Sequence, residues 1–525
     1  MKKLIYILAG IILLTSCKKD FLDRQPLDEY SESSLWSNAK DAQTALNGCY
    51  SGWEDADRIV YMDCASDNAY NQWPWEGYTA LGNMQLLTPT NTGAGMWDFG
   101  TIQRCNWFLA NVDVTPMDDN LKARMKAEAR FLRAYKYFSA AQVYGDYPLV
   151  LKQLTTAEAN EVKRTPKTEI MDFVIKELGE IAPNLPTSYS GSDVGRITRG
   201  AALALKGRTE LFTARFSEAA ITYKKVMDLG VYKLFPNYQD LFRIQNEDNS
   251  EIVLDVQYKE NDYSNGILGV MPSSSYGGWS SINPTQSLVD AYEMKNGKKI
   301  SDAGSGFDAG NPYKDRDPRL SATIVYPGMF YEGKYFNSID KSSPDYYAEN
   351  NNSKTGYSVK KYTSNLSDFS DMWNNGLNMP VIRYAEVLLG YAEAKIEAGQ
   401  IDATVNKAIN DIRSRAGMPV LDQGIYNNQI SLRSAVRNER RVELAMEGLR
   451  WYDVQRWKIA EQVMNGQVYG ALLGKVNAGT GALTLTPVRI EAEKRTFNPA
   501  INYLWPIPQK QIDINHNLNQ NAGYN

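Results

Sequence analysis

Residues 196–230 read RITRGAALALKGRTELFTARFSEAAITYKKVMDLG, and the spacing within this stretch predicts two amphipathic helices folded back on each other. From about Thr198 to Thr213, Ala201, Leu205, Arg208 and Phe212 follow steps of three and four, and Ala202, Ala204 and Leu211 widen the stripe into a mostly small, apolar face. Small side chains let helix axes approach closely. The second helix, with Ser217 as its expected cap, carries Ala219, Ala220, Tyr223, Val226 and Met227 and stops at Gly230.

A hairpin this short has two apolar faces and cannot cover both alone, so it must stack on similar pairs. Residues 380–417 repeat the arrangement: Ala385, Leu388, Leu389 and Ala392 in one helix, Gly399 at the turn, Val405, Ala408 and Ile412 in the next. These offsets resemble a tetratricopeptide repeat. A long helix over 120–143 (Met125, Ala129, Leu132, Tyr135, Phe138) followed by one over 166–182 makes an earlier pair, and 431–464, broken at Gly448, makes a later one. Shorter helices are expected from Asn38 to Trp53 and from Asp98 to Asn111.

Between these pairs the pattern fails. Residues 63–97 have no period and hold three tryptophans, while 236–379 are crowded with Gly, Ser, Asn, Asp and Pro, with Glu251 to Tyr258 as the one strand-like run. An irregular excursion of that length in a compact domain either binds something or is disordered, and its aromatic content argues for binding. The tail from Asn502 is expected to be extended, fixed by Pro506 and Pro508, and laid across the body.

Composition excludes several functions. The 525 residues carry a formal charge of −4, which disfavours nucleic acid and basic membrane-surface binding. His516 is the lone histidine, which leaves no imidazole for a serine or cysteine nucleophile and no two-histidine zinc motif. The acidic stretch Asp302 to Asp308, with Asp315 and Asp317, lacks the glycine and glutamate offsets of a calcium loop and reads as surface acid. No cofactor and no metal is expected. Two lysines, an apolar run and a small-residue site make residues 1–16 a secretory signal, and Leu14-Thr15-Ser16-Cys17 resembles a lipoprotein box that would put a lipid on Cys17. Residues 17–37 then act as a leash and 38–525 as one body, its helical frame mainly 98–235 and 380–465 and its loop-rich half mainly 63–97 and 236–379. Cys49, Cys64 and Cys105 remain, enough for at most one disulfide, and read as core residues.

With these segments in place, the chain resembles the SusD/RagB family of outer-membrane nutrient-binding lipoproteins of Bacteroidota. The matching stretches, in order, are Glu128 to Leu149, Arg196 to Leu211, Asn311 to Leu320, Arg383 to Ala394, Ala408 to Pro419, Arg437 to Lys458 and Tyr503 to Tyr524. His516 and Ala522 stand where the family tail usually has prolines, and Lys18-Lys19-Asp20 replaces an acidic run after the lipidated cysteine. The resemblance implies a mainly α fold in which four tetratricopeptide-like helix pairs form a right-handed solenoid frame under a loop-rich ligand-binding half. It further implies a non-enzymatic protein on the outer face of the outer membrane that captures oligosaccharides, or in some branches peptides, and serves a SusC-like TonB-dependent transporter.

A glycan site needs exposed rings against the C–H face of a sugar, with polar side chains at the rim. The loop stretches 67–78 and 273–279 and the segment Trp373-Asn374-Asn375 offer these, and the candidate ligand contacts are Trp73, Trp75, Tyr78, Tyr276, Trp279 and Trp373. Each ring could equally close the core beneath a long loop. Glu439 and Glu443 could be imagined as the acid and base of a glycoside hydrolase, but they lie one turn apart among Arg437, Arg440 and Glu447, a spacing that forms ion-pair lattices. No catalytic residue is assigned.

Overall fold

The computed structural model describes residues 35–349 and 351–524. The signal segment, Cys17 and the leash up to residue 34 lie outside the described residues. The frame is built from α1 (Ala39–Tyr50), α2 (Gly100–Asn111), α3 (Asp119–Tyr144), α4 (Lys167–Ile181), α5 (Arg199–Phe212), α6 (Phe216–Asp228), α7 (Tyr384–Glu397), α8 (Ala403–Arg415), α9 (Gln429–Glu443) and α10 (Arg450–Arg456). Successive pairs stack as expected: α3 on α4, α5 on α6, α7 on α8, with α4 meeting α5 and α6 meeting α7. The last pair is lopsided, because Met446 and Gly448 before α10 and Lys458 after it all take positive φ and leave that helix only seven residues. Among the described residues, no helix is long and apolar enough to cross a membrane.

The ends of the α5–α6 hairpin show which local signals acted. Thr198 caps α5, its hydroxyl accepting from the Ala201 N–H at 3.1 Å. Ser217 does not cap α6: the helix begins at Phe216 after Arg215, without a side-chain cap, because Ala214 turns the chain through φ 59° and the Arg215 N–H donates to the Glu210 carbonyl. Arg208, an odd member of an apolar stripe, is buried there and donates to Glu386 of α7 at 2.8 Å.

Small residues do set the helix spacing. Gly207 of α5 and Gly390 of α7 press on the ring of Tyr223 in α6 from two sides, and a Cβ at Gly390 would stand 2.5 Å from the ring. Gly390→Ala should therefore lower stability by about 1–3 kcal/mol through overpacking, read by denaturant melting.

Six longer strands, β1 (Ala69–Asn71), β2 (Ile252–Val256), β3 (Ile282–Pro284), β4 (Met379–Arg383), β5 (Gly466–Val476) and β6 (Leu483–Arg495), form two-stranded ladders. Antiparallel pairing of β2 with β4 brings the two ends of the irregular excursion together, and β4 runs straight into α7. The long insertion thus leaves and re-enters the frame at one place. The β5–β6 hairpin is absent from the sequence reading, as is a short helix, Gln509–Ile514, in the tail expected to be extended. The tail does pack on the body: Trp505 is buried against Trp451 and Tyr144, and its N–H donates to Val143 at 2.8 Å. Cys49, Cys64 and Cys105 are buried free thiols.

Frame and loops are locked by buried ion pairs. Arg319 meets Asp317 at 2.7 Å, Glu439 at 2.6 Å and Glu443 at 2.9 Å, while Arg383 meets Glu251 at 2.7 Å, Glu443 at 2.6 Å and Glu447 at 2.7 Å. Arg415 also pairs with Glu443, Arg413 bridges Glu293 and Glu439, and Lys361 holds Glu447. Four of the stretches that carry the family resemblance supply all of these residues but Glu251, Glu293 and Lys361. The Glu439 and Glu443 carboxylates are buried and occupied, so the lattice reading of this helix holds against the acid–base reading.

Candidate ligand-binding site

The loop 66–97 and the excursion meet through the β1–β3 ladder, with Tyr70 opposite Asn283. Around that ladder, side chains bridge the two loops. Gln72 donates to the carbonyls of Trp279 at 2.8 Å and Ser280 at 2.7 Å. Glu76 accepts from Asn71 at 2.6 Å, from Ser281 at 2.8 Å and from Tyr61 at 3.0 Å. Trp73 donates its indole N–H to the Trp279 carbonyl at 3.1 Å.

These bridges gather four tryptophans. Trp73 stacks on Trp75 at 4.7 Å and 25°, and Trp279 lies against Trp373 at 4.8 Å and 56°. Three remain open to solvent, Trp75 at 71%, Trp279 at 44% and Trp373 at 40% exposure, too much for rings that close a core. The result is an open shelf of indole faces. A polar rim borders it: Asp371 accepts from the Trp373 N–H, Asn374 donates to Asn261 at 2.6 Å, and Ser370 donates to Glu260.

Two of the six rings singled out from sequence do not join the shelf. Tyr78 is buried, stacked on Tyr61 at 4.8 Å, because Pro74–Glu76 forms a tight turn that returns the chain to the core at α-helical Tyr78–Gly82. Tyr276 is half-buried in a satellite cluster with Tyr331 and Phe336, with Lys334 over its ring, and burial followed by the Asp345 charge raises its pKa. Trp97, from the same aperiodic loop, packs on Tyr144 and Tyr147.

Trp373 depends on a glycine. A Cβ at Gly269 would lie 2.4 Å from its ring, and the Gly269 carbonyl accepts from the Trp279 N–H at 3.0 Å. Gly269→Ala should tilt Trp373 off its seat, shifting tryptophan fluorescence while leaving the melting temperature within about 1–3 °C of wild type, since the ring can swing outward. Among the described residues, no group of three or more His, Cys, Asp or Glu side chains could hold a metal ion.

The structure is a stacked helical frame that carries an open aromatic shelf on irregular loops. The family model described as "SusD family" matches residues 246–524, and one described as "Starch-binding associating with outer membrane" matches residues 20–211. The chain belongs to the SusD family. It is 24% identical to SusD-like protein P38 of Formosa agariphila, over 99% of this chain and 98% of that one. It is 24% identical to the starch-binding protein SusD of Bacteroides thetaiotaomicron, over 81% and 76%. Among solved structures, a SusD-like carbohydrate binding protein of Bacteroides fragilis superposes with a TM-score of 0.85 at 34% identity, covering 93% of this chain and all (100%) of that one. A second SusD-like protein of B. fragilis superposes with a TM-score of 0.81 at 29% identity, over 95% and 100%.

Proposed function

We propose that the protein is a non-catalytic glycan receptor of the outer membrane, lipid-anchored through Cys17 and facing the cell exterior, which captures an oligosaccharide on the Trp73, Trp75, Trp279 and Trp373 shelf and passes it to a SusC-like TonB-dependent transporter. The observation that carries this reading is the shelf itself: four indoles in one patch, three of them exposed, with amide and carboxylate groups at the rim. Indole faces match the C–H face of a sugar ring, and rim amides and carboxylates match its hydroxyls. The carbohydrate-binding name of the B. fragilis neighbour and the starch-binding name of the B. thetaiotaomicron relative favour sugars over peptides as cargo. The outer-membrane association in the family description supports the location.

Incubation of the purified protein with a panel of oligosaccharides and peptides, followed by mass analysis of what is retained, tests the reading. The expected result is retention of an oligosaccharide at its original chain length. Shortened products would make the protein a hydrolase, and retention of peptides alone would move it to the peptide-binding branch.

A further inference from the structure

Sharing no residue with the shelf, a cleft opens between the end of α1, the turn at residues 192–196 and the outer end of β2. It comprises two adjacent cavities of about 410 Å³ and about 180 Å³ that share Val194, Gly195, Arg196 and Asp255 as walls. The larger falls within the size range of small-molecule sites.

Asp255 is the anomaly. The residue is only 7% exposed, and among the described residues the one hydrogen-bond donor at its carboxyl is its own backbone N–H. A buried carboxylate without a partner is costly. Burial, and after it the charges of Asp248 and Glu247, push its pKa up to about 7. The cation facing the cleft, Arg196, is already spent: it donates to Asp193 at 2.7 Å, Glu128 at 3.2 Å and Asn47 at 2.9 Å. Asp248 takes the Gln257 amide at 3.3 Å, and Glu247 accepts from the Asn378 N–H at 2.7 Å. The field in the cleft is therefore negative, with one acid left unanswered. At the mouth, Tyr263 stacks on Tyr258 at 5.5 Å and 7° and is 50% exposed, so its second face is open as a platform.

We propose that this cleft is a second binding site, for a ring-sized ligand carrying a protonated amine, an amino sugar: the ammonium pairs with Asp255 and the ring lies on Tyr263. An ammonium supplies the charge that the site lacks and regains, in a desolvated setting, a charge-assisted hydrogen bond stronger than any a neutral hydroxyl offers. Above its pKa the empty carboxylate is strained by its burial, and the ligand relieves that cost on arrival.

The choice of an amino sugar as probe rests on the carbohydrate-binding reading, whereas the site itself does not. Calorimetric titration of the full chain at pH 7 with glucosamine, glucose and N-acetylglucosamine tests it. Glucosamine is expected to bind at least about tenfold tighter than the two neutral sugars. Asp255→Asn, which keeps the shape and removes the charge, should abolish that preference, and Tyr263→Ala, at an exposed position, should weaken glucosamine without altering the melting temperature. Trp73→Ala with Trp75→Ala should leave glucosamine binding intact. Equal affinity for the three sugars, no binding of glucosamine, or a preference that survives Asp255→Asn overturns the proposal. Glucosamine binding in a protein that retains no oligosaccharide would sink the shelf reading and keep this one.

Discussion

Glu443→Ala should cost about 3–5 kcal/mol of stability, the penalty for stranding buried charge. Three guanidinium groups, Arg319, Arg383 and Arg415, converge on this one carboxylate, which is fully buried. Burial alone would raise its pKa, yet Arg415, Arg383 and Arg319 together hold it well below the usual carboxylate range, so it stays charged through ordinary pH. Truncation leaves those cations facing one another in a low-dielectric interior. The contrast is the exposed pair Lys407 and Asp411 on α8, where Lys407→Ala should change stability by no more than about 0.5 kcal/mol. Denaturant melts of the two variants, side by side, measure the difference. Equal losses would mean that the lattice does not couple the frame to the loop half.

The second large effect concerns binding. Changing Trp73 and Trp75 together to Ala should weaken the retained oligosaccharide at least about tenfold, equivalent to about 1.4 kcal/mol, with little change in melting temperature. Trp75 is the most exposed large hydrophobic ring of the shelf and packs chiefly on Trp73, so little of the core depends on it. Trp73 is half-buried and its indole N–H ties the loop to the Trp279 carbonyl. Trp75→Ala alone therefore separates the two contributions: it removes a platform and leaves that tie in place. A double variant that unfolds while the single variant binds normally would make Trp73 a structural ring.

Helical periodicity made the frame legible because each hairpin carries its own apolar stripe and its own stop. Leu205, Tyr223 and Leu388 fall where their spacing put them, in the core. The glycines that seat Tyr223 could be read only as small residues until the facing ring was known. The β5–β6 hairpin carries a strand–turn signal in Leu483, Leu485 and the Asn477-to-Gly481 turn, but three register shifts along it break the period-two alternation by which a strand is read. Ion-pair partners were partly visible: the Arg and Glu spacing on α9 pointed to a lattice, but the convergence of Arg319, Arg383 and Arg415 on Glu443 joins segments 124, 60 and 28 residues away and has no local signature.

The shelf divides in the same way. Composition picked out the aromatic loops, and four rings from three separate stretches do meet. Tyr78 and Tyr276 lie off the shelf for reasons that the loops hide: a one-turn return after Pro74 turns Tyr78 to Tyr61, and Tyr276 packs into the satellite cluster of Tyr331 and Phe336. Asp255 has no signature in the sequence, because within Glu251 to Tyr258 it reads as the polar face of a strand, and only the fold buries it beside the cleft.

The most direct measurement is a crystal structure of the protein with the oligosaccharide that it retains. Electron density for an intact chain, with a sugar ring within about 4 Å of the Trp75, Trp279 or Trp373 faces, is what the account predicts. Density seated elsewhere, with those indoles bare, would contradict it.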